Sequence, residues 1–498
     1  LNFFKNNLDL SSNKHVLSNT VTRQIVNVEK LTLSLTSKVD DFYEEELDKK
    51  YVESANLDSK ILLHTKRDPK SITIKELTLK KEKLDEIIKP HQESNRKILD
   101  GIVNVLIEKK NTRRHFEIIL GTLLLNYPID KKDAKFDKRN EISKVLRPIY
   151  QSALISLLIE KLLNDGYSFK SEYLTDLLLP LKDGSEEAQQ EALIEFQKIM
   201  VEILYLKEMG YVSPKSLEIL SRSGENNLLD QQNRDALRAQ SIISTKEFHH
   251  FGIGALKIKP VQIQPAPVEK TNVKLDARQK KLFADKREEK HQVLVQKAER
   301  TALMQQAARF AFIRDVMDSN LDGPTEIDDL LKVCQVYTSF MLSVKGSVDK
   351  ELNIKAYGIM KKQAAAGEIN LLFTEKLLAM MGRFPIGSGI YFMDLRRNAN
   401  EFGSVDKAIV TGMNPQDADE PEVKRVTTKY KYKLDTGTVR VPKKINLYFE
   451  EAREDQCFTP RLKMRFKTQF KSEDADLLYS FRANDEFRTL AVSETKLW

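Results

Sequence analysis

The sequence predicts a mainly helical chain with a β-rich C-terminal region. Two observations carry this. From about residue 75 to residue 381, apolar side chains recur at helical intervals. After Pro385, Gly387, Gly389, Gly403 and Gly412 punctuate short runs that alternate with period two. The chain has 498 residues, more than one ordinary domain, with 41% hydrophobic and 31% charged side chains. Those fractions exclude a mostly disordered chain, a collagen-like repeat and a disulfide miniprotein.

Taken in order, residues 1–75 are polar and weakly patterned. Val26 and Val28, then Leu31, Leu33 and Leu35, alternate like a short strand, so a small mixed region is expected. Helical spacing starts with Ile74, Leu77, Leu79, Leu84, Ile87 and Ile88 and is expected to break at Pro90. Helices then recur through a first bundle segment, 76–255, with breaks at Gly166, Pro180, Gly184 and Gly210. Residues 256–300 read as an insert. Pro260, Pro265 and Pro267 force an extended linker, and 274–300 form a charged helix. A second bundle segment covers 301–385. In the β-rich region, 386–498, strands are expected at 390–393, 428–434, 439–441, 445–449 and 461–466.

The two cysteines, Cys334 and Cys457, suit a reducing compartment, so a cytoplasmic location is expected. The longest apolar runs, such as 118–125, fall short of a membrane span, and no span is expected. His249 and His250 precede the linker and read as an exposed loop pair. The other histidines show no HxxxH or HExxH spacing. Cys334 lies in an apolar helix and reads as a buried structural thiol.

Three stretches carry a family resemblance. Residues 204–214 (LYLKEMGYVSP) resemble the "LLHDIGKIGIP" turn of the HD-GYP subgroup of HD phosphohydrolases. Residues 330–340 (LLKVCQVYTSF) are similar to that family's "ARIVAVADVYDAL" helix, and 383–390 (RFPIGSGI) to its "YPVGSLVRL" strand. The resemblance covers roughly residues 145–425 and implies an HD-type helical bundle. In its active form such a domain holds two or three metal ions that activate water to cut cyclic di-GMP.

At the positions the resemblance implies, the ligands are missing. The HD doublet is Lys207-Glu208, and lysine cannot replace a metal-bound imidazole. The next histidine position is matched by Gln240, and the aspartate of the later helix by Gln335. Arg314-Asp315 stands where two histidines would precede the HD-GYP segment, of which Asp322-Gly323-Pro324 is the only remnant. The first ligand helix begins near Tyr150, where no histidine occurs. The expected protein is therefore not an enzyme, with no catalytic residue, metal or cofactor.

Charge adds a second expectation. Between residues 424 and 467 there are thirteen basic and five acidic residues, a net +8 that equals the whole chain's balance. Lys429, Lys431 and Lys433 alternate with tyrosines, and Arg461, Lys463, Arg465 and Lys467 with apolar residues. In strands, each set would form one cationic row. That is either an ordinary solvated sheet face, a docking surface for an acidic protein, or a nucleotide surface. Because the charge is local, nucleic-acid binding is disfavoured.

The function expected from all this is a non-catalytic protein-interaction scaffold, a component of a bacterial signalling or motility assembly such as a flagellar motor. The alternatives are a non-hydrolysing sensor of cyclic di-GMP or another nucleotide, with Lys207 and Arg314 neutralising phosphate, and a residual metal-dependent phosphodiesterase.

Overall fold

The computed structural model describes residues 20–67, 72–108, 113–128, 134–222, 229–253, 277–318, 325–344, 352–394, 404–427, 433–454, 458–469 and 480–482. The chain is mainly helical, with one small antiparallel sheet near its C-terminus.

The first correction falls at the N-terminal end. Residues expected to be a strand lie inside a long helix, α1 (Thr20–Glu44). Among its buried side chains, Val21, Ile25, Val28, Thr32, Leu35, Val39 and Phe42 follow alternating steps of three and four. That is a helical stripe, and the local alternation sampled only part of it. Two helices follow as a hairpin, α2 (Leu47–Arg67) and α3 (Ile72–Leu106). Pro90 does not break α3. Glu86, whose carbonyl loses its partner, and Pro90 itself are both exposed, so water can replace the missing bond. Ile88 on one side of Pro90, and Asn95, Leu99 and Ile102 on the other, are buried and hold the helix in line.

The bundle continues with α4 (Arg113–Asn126), α5 (Arg139–Asn164), the short α6 (Glu172–Leu177) and α7 (Pro180–Asp183), then α8 (Glu186–Tyr211), α9 (Pro214–Leu220) and α10 (Gln231–Glu247). By length and composition α5 could cross a membrane, yet 83% of its apolar window is buried inside the protein. It packs against α4, α8 and the later helices and forms the centre of the core. A π-helical turn, Phe248–Ile253, ends α10. The charged helix expected at 274–300 is present, but it runs without a break into α11 (Ala277–Asp318). Its 42 residues span about 63 Å at 1.5 Å each. The proline-rich stretch lies outside the described residues. The helices α12 (Glu326–Met341), α13 (Leu352–Ala365) and α14 (Leu371–Met381) close the bundle.

The sheet has the order β4-β3-β2-β1-β5. Its strands are β1 (Ser388–Asp394), β2 (Ser404–Val410), β3 (Glu422–Thr427), β4 (Lys433–Arg440) and β5 (Ser480–Arg482), and each pairing is antiparallel. Ile390, Phe392, Ala408, Val410 and Val423 form a second, smaller core with Phe384 and Ile354. Two expected strands are corrected. Residues 445–449 follow a 3-10 turn (Lys443–Ile445), and Asn446 makes one isolated bridge to Phe392. After the short α15 (Glu450–Glu454), residues 461–466 lie in a helix, α16 (Pro460–Gln469). Pro460 sits at its first position and Thr459 Oγ1 accepts a hydrogen bond from Leu462 N at 3.3 Å.

A candidate degenerate pocket in the helical bundle

The C-terminal end of α8 is positioned by close approach to α10. A Cβ on Gly210 would lie 2.1 Å from Thr245 Oγ1 and 2.3 Å from the Ser241 carbonyl, so only glycine lets the helices meet there. Ser213 then turns the chain. Its hydroxyl donates to the Gly210 carbonyl at 3.0 Å and caps α9, where Pro214 holds the first position. This turn and the helices α5, α10 and α12 line a half-open cavity of about 580 Å³.

Two positions that the resemblance singles out, Glu208 and Gln335, line this cavity, together with Gln151, next to Tyr150 on the expected first ligand helix. The other positions do not. Lys207 lies beside the cavity, and its ammonium is ion-paired with Asp328 of α12. Asp328 also completes a capping box with Thr325, so one carboxylate fixes the start of α12 and ties it to α8. Gln240 donates to Ser244 Oγ at 3.1 Å within its own helix. Arg314 and Asp315 pair with each other at 3.1 Å on an exposed part of α11. They are absent from the cavity wall, so the expected phosphate pair of Lys207 and Arg314 does not form there.

A metal does not fit these residues. Lysine and amide side chains replace the imidazole and carboxylate set that a hydrolytic centre needs. Among the described residues no three His, Cys, Asp or Glu side chains cluster for a metal. His249 and His250 are a correction of a different kind. They lie in the π-helical turn, not in a loop, and His249 is only 1% exposed. Its ring stacks on Phe310 at 4.8 Å. Burial, reinforced by the charge of His250, pushes His249 down to about 4, which keeps it neutral.

Burial pushes the Glu208 carboxyl up to about 7, against the pull of Arg147. The folded chain therefore holds this proton over a range where the unfolded chain has released it. The stabilising contribution is complete below about pH 4.5 and is lost as pH rises through about 7. A Glu208→Gln variant lacks that dependence. Its urea midpoint relative to wild type should rise between about pH 5 and pH 8. A difference that stays flat with pH contradicts the assignment.

The sequence reading missed a buried ion triad. Glu202 on α8 is 1% exposed and pairs with Arg96 of α3 and, at 2.6 Å, with Arg309 of α11. Burial alone would raise its carboxyl, but Arg309 and Arg96 hold it below the usual carboxylate range. The signal was a lone acid inside the apolar run 199–206.

The expected basic rows fare differently. Lys429 and Lys431 lie outside the described residues, and Lys433 begins β4. Arg461, Lys463, Arg465 and Lys467 are in the helix α16, where alternate residues diverge by about 200°. By helical position, residues 461 and 465 fall on one side and 463 and 467 on another, so the four positions do not line up in one row. Cys334 is buried, as expected, and burial raises its thiol far above the normal range. Comparison with family models, with curated proteins and with solved structures finds no match.

Proposed function

We propose that this chain is a non-catalytic protein-interaction scaffold, built on a degenerate HD-GYP-like bundle and working within a bacterial signalling or motility assembly. The observation that carries the reading is the Lys207–Asp328 pair. A position where the resemblance expects a metal ligand instead cross-links two helices of the bundle. Apolar side chains on the α2–α3 hairpin and on α11, among them Leu62, Leu63, Ile72, Leu294 and Met304, are more than half exposed or close to it and offer docking surface. Purifying the tagged full chain from its source cells tests this. A partner retained in fixed ratio, and still held as salt is raised, is the expected result. A chain that elutes alone at low salt contradicts it. The sensor reading is favoured by a separate observation, the half-open cavity lined by Glu208.

A further inference from the structure

The cavity beside Glu208 has two unlike walls. One is a stripe of α5: Asn140, Ser143, Lys144, Arg147 and Gln151, spaced three or four residues apart and so on one face. The rest of the lining is largely apolar, with Met209, Val212, Leu217, Leu220, Leu237 and Val344 interleaved with Thr36, Glu208, Tyr211, Ser221 and Gln335. Two polar atoms on the α5 stripe are buried with no hydrogen-bond partner among the described residues, Ser143 Oγ and Gln151 Oε1. Ser143 is 1% exposed and Gln151 3% exposed. Buried polar groups normally find partners, so two orphans on one cavity wall mark places where a ligand can supply them. Arg147 Nε donates to the Leu342 carbonyl at 3.2 Å, which ties down the guanidinium of a residue that lines the cavity. Lys144 and Arg147 against Glu208 leave the lining with a positive balance whether or not Glu208 is protonated.

We infer that this cavity binds a small amphiphilic organic anion, one with a carboxylate or phosphomonoester head, an apolar body and a hydrogen-bond donor. The head sits against Lys144 and Arg147 as charge-assisted hydrogen bonds. The body covers the apolar wall, and the donor serves Gln151 Oε1 one helical turn beyond Arg147. The cavity volume is in the range of ordinary small-molecule sites, roughly 300–1,000 Å³. The inference rests on the sensor reading of the same cavity and adds the ligand class.

Calorimetric titration of the full chain tests it with 6-hydroxy-2-naphthoate, 2-naphthoate, 1-naphthyl phosphate and cyclic di-GMP. The expected result is one saturable site for the hydroxynaphthoate or the naphthyl phosphate, whichever head is preferred. Removing the hydroxyl, as in 2-naphthoate, should weaken binding. A Lys144→Glu, Arg147→Met variant should weaken it about ten-fold or more. Arg314→Glu, on the exposed part of α11, should leave it unchanged. Lys144 is exposed, so Lys144→Glu alone keeps the test valid if the double variant fails to fold. No saturable binding of either head group, binding indifferent to Lys144 and Arg147, or binding of cyclic di-GMP alone overturns the ligand class. Release of naphthol from bound 1-naphthyl phosphate, dependent on Lys144, supports the site while overturning the non-catalytic reading.

Discussion

Replacing Glu202 with alanine is expected to destabilise the protein by about 3–5 kcal/mol, the cost of stranding buried charge. Glu202 lies between Arg96 and Arg309, which come from helices far apart in sequence. Removing it leaves Arg96 with Asp100 at 3.5 Å and Arg309 with Glu195 at 3.4 Å, both more exposed and poorer partners. Neither arginine can shed its proton to escape, so the penalty stays in the folded state. The urea midpoint of the helical signal should fall accordingly. A triple variant, Arg96→Met, Glu202→Leu and Arg309→Met, should recover most of the loss, since an apolar set of similar volume is often neutral or better. A loss under about 1 kcal/mol for Glu202→Ala contradicts this assignment.

Gly387→Ala should cost about 2–4 kcal/mol, combining backbone strain with overpacking. Gly387 has φ of +91°, in the region that favours glycine. An added Cβ would lie 2.6 Å from the Gly121 carbonyl oxygen of α4, so the sheet could no longer seat against the bundle. Its N–H donates to the Val410 carbonyl at 2.9 Å, and that bond would be strained in turn. Faster hydrogen exchange in β1 and β2 is the expected readout. Gly437→Ala in β4 is the control: nothing lies within 4 Å of an added Cβ, so the change should stay within about 0.5 kcal/mol.

Legibility in the sequence followed the length of the pattern. The helices between residues 139 and 211 are long enough for their apolar stripes to repeat several times, and they were readable. The strand at 390–393 was readable as a short apolar run after Pro385 and Gly387, within β1 (Ser388–Asp394). The failures came where a short pattern fits two periods. Leu462 and Phe466 satisfy both a period of two and an i, i+4 spacing, and the decisive signal was Thr459-Pro460 ahead of them. Val26 to Leu35 failed for the same reason until Val21, Val39 and Phe42 extend the stripe. Pro90 was misread because tertiary packing outweighs one lost backbone bond when the proline is exposed. Glu208 and Gln335 both line the pocket. Arg314 and Asp315 were placed there by a local sequence match, but the run of α11 carries them to an exposed surface. Lys144 and Ser143 were not found, since a polar stripe on an otherwise apolar helix gains meaning only when a cavity faces it.

The proposed scaffold has an HD-GYP-like frame without the metal chemistry of that family. Elemental analysis after loading with iron(II) or manganese(II), coupled to a cyclic di-GMP turnover assay, tests it most directly. The account predicts well under one equivalent of metal per chain and no turnover above buffer. Stoichiometric metal, with turnover that Glu208→Gln abolishes, would contradict it.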